Sequence, residues 1–324
     1  MTAPRLSSEV PVTTGVVRPS RRGHHDRRQR WAESPLLRRF EGLVGGSNGA
    51  KRQELGIRWW REILLIGLFY VGYGIVRNRF GSAAVGPVHA LNNAEIVIEL
   101  ERALGLYFES TVQGWFLGWD AFIAVWNVFY GLLHFTVTFF AMAWLYLKFP
   151  EVYQRWRTTG LLCTGLGLVG FALFPLMPPR LLGDCGPYGA CLPDAGFVDT
   201  MVHYGGLWSF DSGTFQTLSN QYAAMPSIHF AWAFWCFLAL RGRIRNGWGR
   251  LLLYLYPLLT LFAVVVTANH YWIDAAAGAA CALVALAWAT PLVRWSQQRR
   301  ARRLQRRRDN DELPATTAPR GVAH

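Results

Sequence analysis

Three residues in the C-terminal half of the chain have the types and spacing to do chemistry. His229 closes the run Pro226-Ser227-Ile228-His229, and His270 opens the run His270-Tyr271-Trp272-Ile273-Asp274. Both runs border sequence apolar enough to cross a bilayer, where an ionisable group is costly and points to function. His270 and Asp274 are spaced i, i+4 and so share one helical face. A carboxylate in that position can accept one ring N–H, fix the tautomer, and leave the other nitrogen as nucleophile or base. In the earlier run, proline suits a first helical position and serine is a favoured cap. The free amides of a helix start favour a phosphate or other oxyanion, and His229 lies in that first turn. Arg180, after Pro178-Pro179, offers a planar fork that fits phosphate oxygens. Each motif alone also has a structural reading: a helix-surface pair, a cap, an interfacial anchor. A zinc site built from His229, His270 and Asp274 lacks a fourth ligand, and the helix start with Arg180 favours an anion, so no metal is assigned.

Composition says where such a site would sit. The chain has 324 residues, 52% hydrophobic, with 15 Trp and only 16% charged. A soluble domain carries nearer a quarter charged residues. Several apolar runs reach about twenty residues, enough to cross a hydrocarbon core of about 30 Å. The expected fold is all-α: a polytopic membrane bundle of about six transmembrane helices plus an interfacial amphipathic helix. The formal charge of +13 is concentrated near the two ends of the chain. Basic runs that flank apolar spans indicate contact with anionic membrane lipid and topogenic signalling, not nucleic acid.

Three regions follow. Residues 1–58, rich in Arg, Ser, Gly and Pro, read as a basic disordered cytoplasmic arm; His24 and His25 within it read as a solvated pair. Residues 59–295 form the transmembrane catalytic domain, and residues 296–324 a basic cytoplasmic tail. The spans are expected at 59–76, 119–147, 158–176, 226–240, 251–268 and 270–293. Residues 88–109 mix apolar positions with Glu and Asn, which suits a helix lying on the membrane surface. Inside the second span, Asn127, Tyr130 and His134 recur at i, i+3, i+7 on one face, which either packs in the bundle or lines the site. Cys163, Cys236 and Cys281 lie in apolar runs as small hydrophobes, whereas Cys185 and Cys191 share one polar loop, where a disulfide needs an oxidising compartment.

Arg-rich connections alternate along the chain with connections poor in Lys and Arg, and six spans with both termini cytoplasmic satisfy the positive-inside rule. Arg180, His229, His270 and Asp274 then reach the extracytoplasmic leaflet at one depth of a multi-pass inner-membrane protein. The least clean loop carries Arg77, Arg79 and Arg102.

The series Pro178-Pro179-Arg180, Ala224-Met225-Pro226-Ser227-Ile228-His229 and His270-Tyr271-x-x-Asp274 resembles the type-2 phosphatidic acid phosphatase superfamily. More specifically, it is similar to the inositolphosphotransferase branch, which includes the inositol phosphorylceramide synthases. The resemblance covers roughly residues 60–295. It implies that His270 is the nucleophile that becomes phosphorylated, that Asp274 orients it, and that His229 protonates the leaving group. Arg180 and Ser227 would hold the phosphate, with Asn127, Tyr130, His134 and Tyr271 as candidate substrate-lining residues. Two cations of the wider superfamily are replaced by Leu173 and Val264, and its Pro-Ser-Gly-His glycine by Ile228. Arg77 or Arg79 is the candidate to substitute for the missing charge.

The expected activity is cleavage of a lipid-linked phosphoester through a phosphohistidine, without cofactor. Water as acceptor makes a phosphatase; an alcohol makes a phosphotransferase. The competing reading is a non-catalytic lipid or polyprenyl-phosphate binding or transport protein, for which internal repeats with interrupted helices are expected; none is visible.

Overall fold

The structure is a computed structural model that describes residues 48–204 and 220–312. Residues from Lys51 onward form one compact unit, which holds every element named below. The arm through residue 47 with His24 and His25, the loop 205–219, and the tail beyond residue 312 lie outside the described residues.

The described elements are helical, joined to irregular segments that meet in one isolated β-bridge, Leu176 with Ala223. Helix α1 is Trp59–Phe80, α2 is Pro87–Leu104, and α3 is the short Glu109–Gly114. Helix α4, Asp120–Lys148, contains one wide π-turn at Phe129–Leu133. Helix α5 is Pro150–Leu173, α6 the single turn Thr200–His203, and α7 Ile228–Leu240. Helices α8, Gly247–Val266, and α9, Trp272–Glu312, complete the bundle. Four of them, α1, α4, α8 and α9, are long and apolar enough to cross a membrane. No residue of α1 is buried, so its Ile63, Leu64, Leu68 and Val71 face outward, as suits a helix solvated by lipid.

Local chemistry explains where the boundaries depart from expectation. Helix α5 starts at Pro150, where the missing N–H costs nothing, instead of at Thr158. It stops at Leu173, before the double proline, because Pro175 disfavours helical backbone at Phe174 (φ −139°, ψ 70°). Helix α9 runs 41 residues, about 60 Å at 1.5 Å per residue, and so carries helix well past Val293. Residues 51–55, assigned to the arm, are helical, and the buried Arg52 donates to the carbonyls of Tyr146 and Leu147 at 3.2 and 3.3 Å.

Two apolar clusters organise the interior. One joins Leu145, Tyr153, Trp156, Trp235 and Tyr256, with the Trp235 indole donating to the Trp156 carbonyl at 3.0 Å. The other joins Ala90, Ala94 and Val97 of α2 to Met177, Leu181, Tyr222 and Tyr271. Helix α2 therefore packs one face into the bundle, and Gly105 (φ +68°) ends it in the left-handed conformation that glycine adopts without strain. Around the second cluster the chain is irregular, and its buried backbone is paired segment to segment. Leu176 N–H donates to Tyr222 O, Met177 N–H to Ala90 O, Arg180 N–H to Ala268 O, and Ser227 N–H to Asp274 O, at 2.9, 3.1, 2.7 and 2.9 Å.

Candidate active site

His270 lies in the turn between α8 and α9. Its Nδ1 faces two acceptors, the Ala224 carbonyl at 2.9 Å and Asp274 Oδ2 at 3.3 Å. A carbonyl cannot donate, so Nδ1 carries the hydrogen and Nε2 is left with its lone pair. Asp274 is fully buried, and its Oδ2 also accepts the Tyr271 N–H at 2.9 Å. The pair therefore meets across the start of α9 and not on a helical face, with His270 in the preceding turn and a second acceptor supplied from the segment before α7.

His229 stands opposite, with Nδ1 3.4 Å from His270 Nε2. Two rings from α4 hold it. Tyr130 stacks on it at a centroid separation of 4.1 Å, and His134 lies at 4.1 Å on a tilted plane. His134 Nδ1 donates to the Tyr130 carbonyl at 2.8 Å, which fixes its own tautomer. Tyr130 sits inside the π-turn and His134 just after it; such turns re-aim side chains and recur at functional sites. The shared face of Tyr130 and His134 is legible in the sequence; the widened turn is not.

Arg180 is buried, with three partners in a plane. Its Nε donates to Asn269 Oδ1, one Nη to Asp199 Oδ2 and the other to Gln221 Oε1, at 3.0, 2.5 and 2.5 Å. Among the described residues, three of its five N–H groups are used, leaving one on each terminal nitrogen. Asp199 also caps α6, accepting from the Met201 and Val202 amides.

The remaining expected residues divide. Ser227 caps α7, accepting the Phe230 N–H at 3.4 Å. Asn127 exchanges hydrogen bonds with Thr200, both at 2.8 Å, and so anchors the turn that carries Asp199. Tyr271 is enclosed in the apolar cluster with α2. Arg77 turns its Nε and Nη2 to Asn78 Oδ1 at 3.0 and 2.7 Å. Nearby, Tyr73 accepts the Asn220 N–H at 3.2 Å, tying the end of α1 to the segment that carries Gln221. Sequence reading missed Asp199, Gln221 and Asn269. Asn269 adjoins His270, and Asp199 before Thr200 is a cap signal, but nothing local links either to Arg180.

A family model described as the PAP2 superfamily matches residues 95–288. The chain belongs to the PAP2 superfamily. Membership supports a phosphatase-type lipid phosphoesterase, and the matched region contains Arg180, Ser227, His229, His270 and Asp274. No curated protein and no solved structure matches the chain significantly.

Departures from the superfamily pattern now have positions. Leu173, where a lysine is expected, is 78% exposed at the end of α5. Val264 is buried, and its carbonyl accepts the amides of Asn269 and His270 at 2.9 and 3.2 Å. Ile228 directs its side chain at Gly167, where an added Cβ would meet Ile228 Cδ1 at 2.1 Å. The larger residue in the Pro-Ser-x-His run is accommodated by a glycine on α5.

Proposed function

We propose that the protein is an integral membrane phosphatase or phosphotransferase that cleaves a lipid-linked phosphoester through a phosphohistidine on His270. The observation that carries this reading is the pairing of a lone-pair Nε2 on His270 with His229 Nδ1 across 3.4 Å. A phosphoryl group entering between the rings meets a nucleophile on one side and an acid on the other.

In the first step His270 Nε2 attacks phosphorus and the ester P–O bond breaks. His229, protonated on both nitrogens when the ester binds, gives its Nδ1 proton to the departing oxygen and is left neutral. The imidazolium charge on His270 is offset by Asp274 through Nδ1–H. The two remaining N–H groups of Arg180, with the first-turn amides of α7, suit the non-bridging oxygens. In the second step water or an alcohol attacks phosphorus, His229 takes its proton, the P–N bond breaks, and the electron pair returns to Nε2. Water gives a phosphatase; an inositol or sugar hydroxyl, or a second lipid, gives a transferase.

The extracytoplasmic face is supported by the charge pattern of the loops. It is also supported by the disulfide between Cys185 and Cys191, in the loop that follows Arg180, since such bonds persist in oxidising compartments. Incubation of the purified protein with a labelled lipid phosphate tests the reading. An acid-labile phosphoprotein should form in wild type and be absent in His270→Ala; equal turnover by His270→Ala removes the nucleophile assignment.

A further inference from the structure

Three carboxylates cap three successive amides at the start of α9. Tyr271 N–H donates to Asp274 Oδ2 at 2.9 Å, Trp272 N–H to Glu109 Oε1 at 3.4 Å, and Ile273 N–H to Glu101 Oε1 at 2.8 Å. Glu101 comes from α2 and Glu109 opens α3, 172 and 163 residues away from their amides. Both side chains are fully buried, and the second oxygen of each, Oε2, lacks a donor. Because the Trp272 and Ile273 amides are adjacent, the two buried carboxyl groups lie side by side at one helix start. Two like charges at such distance resist joint ionisation, while the positive end of a helix favours a single one.

We propose that Glu101 and Glu109 share one proton and, as a singly charged pair, clamp the first turn of α9, so that they are positioning residues that aim His270. His270 is two residues upstream of the first clamped amide, so a shift of that turn moves its Nε2 relative to His229. The aiming role rests on His270 being the nucleophile; the shared proton does not. Asp274 from α9, Tyr271 just before it and Tyr107 between α2 and α3 are the titratable groups that face the pair, and Arg102 from α2 faces Tyr107. The Arg102 guanidinium lies over the Tyr107 ring at 4.9 Å. Burial first, and the neighbouring Glu109 carboxyl second, push the Glu101 carboxyl up to about 9, so the pair keeps one proton at neutral pH.

The sign of the pH effect follows from linkage. Between the ordinary carboxyl range and about 9 the folded chain binds a proton that the unfolded chain has released, so stability falls as pH rises through that window. In Glu101→Gln an amide supplies the hydrogen permanently.

The test measures thermal unfolding from pH 5 to 9 and the kcat and KM of lipid-phosphate turnover, in detergent, for wild type, Glu101→Gln, Glu101→Ala and the double variant Glu101→Gln/Glu109→Gln. The expected result is a Tm that falls with pH in wild type less steeply in Glu101→Gln, with kcat of that variant within about threefold. Glu101→Ala and the double variant, which places two amides face to face, should lose about 100-fold in kcat at little-changed KM. An identical pH slope in wild type and Glu101→Gln overturns the shared proton. Retained kcat in the double variant overturns the aiming role, whether or not Glu101→Ala folds. Loss of activity in Glu101→Gln with a chelator-sensitive Tm in wild type overturns the pair in favour of a bound cation. Absence of turnover in wild type itself rejects the enzymatic reading and its aiming role while leaving the pH slope as the measure of proton sharing.

Discussion

Gly278 is where the helix carrying Asp274 presses on the helix carrying His229, and replacing it by alanine should separate the two halves of the site. Gly278 lies one turn beyond Asp274 on the same face of α9. A Cβ there would meet the Ser227 carbonyl oxygen at 2.4 Å and the Ala231 nitrogen at 3.3 Å. Carbon–oxygen contacts begin near ~3.3 Å, so α9 must retreat from α7 by roughly 0.9 Å, and neither contact is a flexible side chain. The retreat also stretches the bond from Ser227 N–H to Asp274 O, now 2.9 Å. A misplacement of about 1 Å costs on the order of 100-fold in rate. Stability should change less: overpacking costs roughly 1–3 kcal/mol, and the helical preference for alanine over glycine returns up to about 1 kcal/mol. Turnover of a lipid phosphate in detergent, with thermal unfolding alongside, checks both numbers. Gly74→Ala and Gly165→Ala are the controls, because nothing lies within 4 Å of a Cβ at either position; both should keep wild-type turnover. Wild-type turnover in Gly278→Ala would refute the claim that this crossing sets the distance between the histidines.

Asp199→Ala should leave the Arg180 charge buried with only Asn269 and Gln221, and lower stability by roughly 3–5 kcal/mol. Inorganic phosphate should restore part of that loss, read as a phosphate-dependent rise in Tm; a loss below about 1 kcal/mol would show that the pair is solvated. Replacing both Cys185 and Cys191 by serine opens a loop of sequence separation 6 and should cost about 2 kcal/mol, from chain entropy alone. Denaturant unfolding measures it, and an unchanged midpoint under reducing and oxidising conditions would mean the bond does not form in the isolated protein.

The site depends on irregular backbone held between regular helices. Arg180, Gln221, Ala224 and His270 all lie outside helices α1 to α9 or in their flanking turns, where each must find its partner from another segment. That is why Arg180 ends in a planar nest of three residues distant in sequence, with a charge balance no single motif displays. It is also why α2, which composition reads as a membrane-surface helix, buries Glu101 against the first turn of α9.

Composition and periodicity determined that the chain folds as an apolar helical bundle, because burial and length are local properties that each apolar run carries with it. They determined the His270–Asp274 pair as well, since a four-residue separation across a helix start keeps the two side chains within reach. Spacing also put Tyr130 and His134 on one face. Only the tertiary structure decided that this face closes on His229, that Asp199 neutralises Arg180, and that two glutamates from α2 and α3 hold the first turn of α9 beside His270. Those contacts join residues from 19 to 172 positions apart. Their energy comes from burying charge beside its partner, and a partner is defined by the fold and not by the neighbouring sequence.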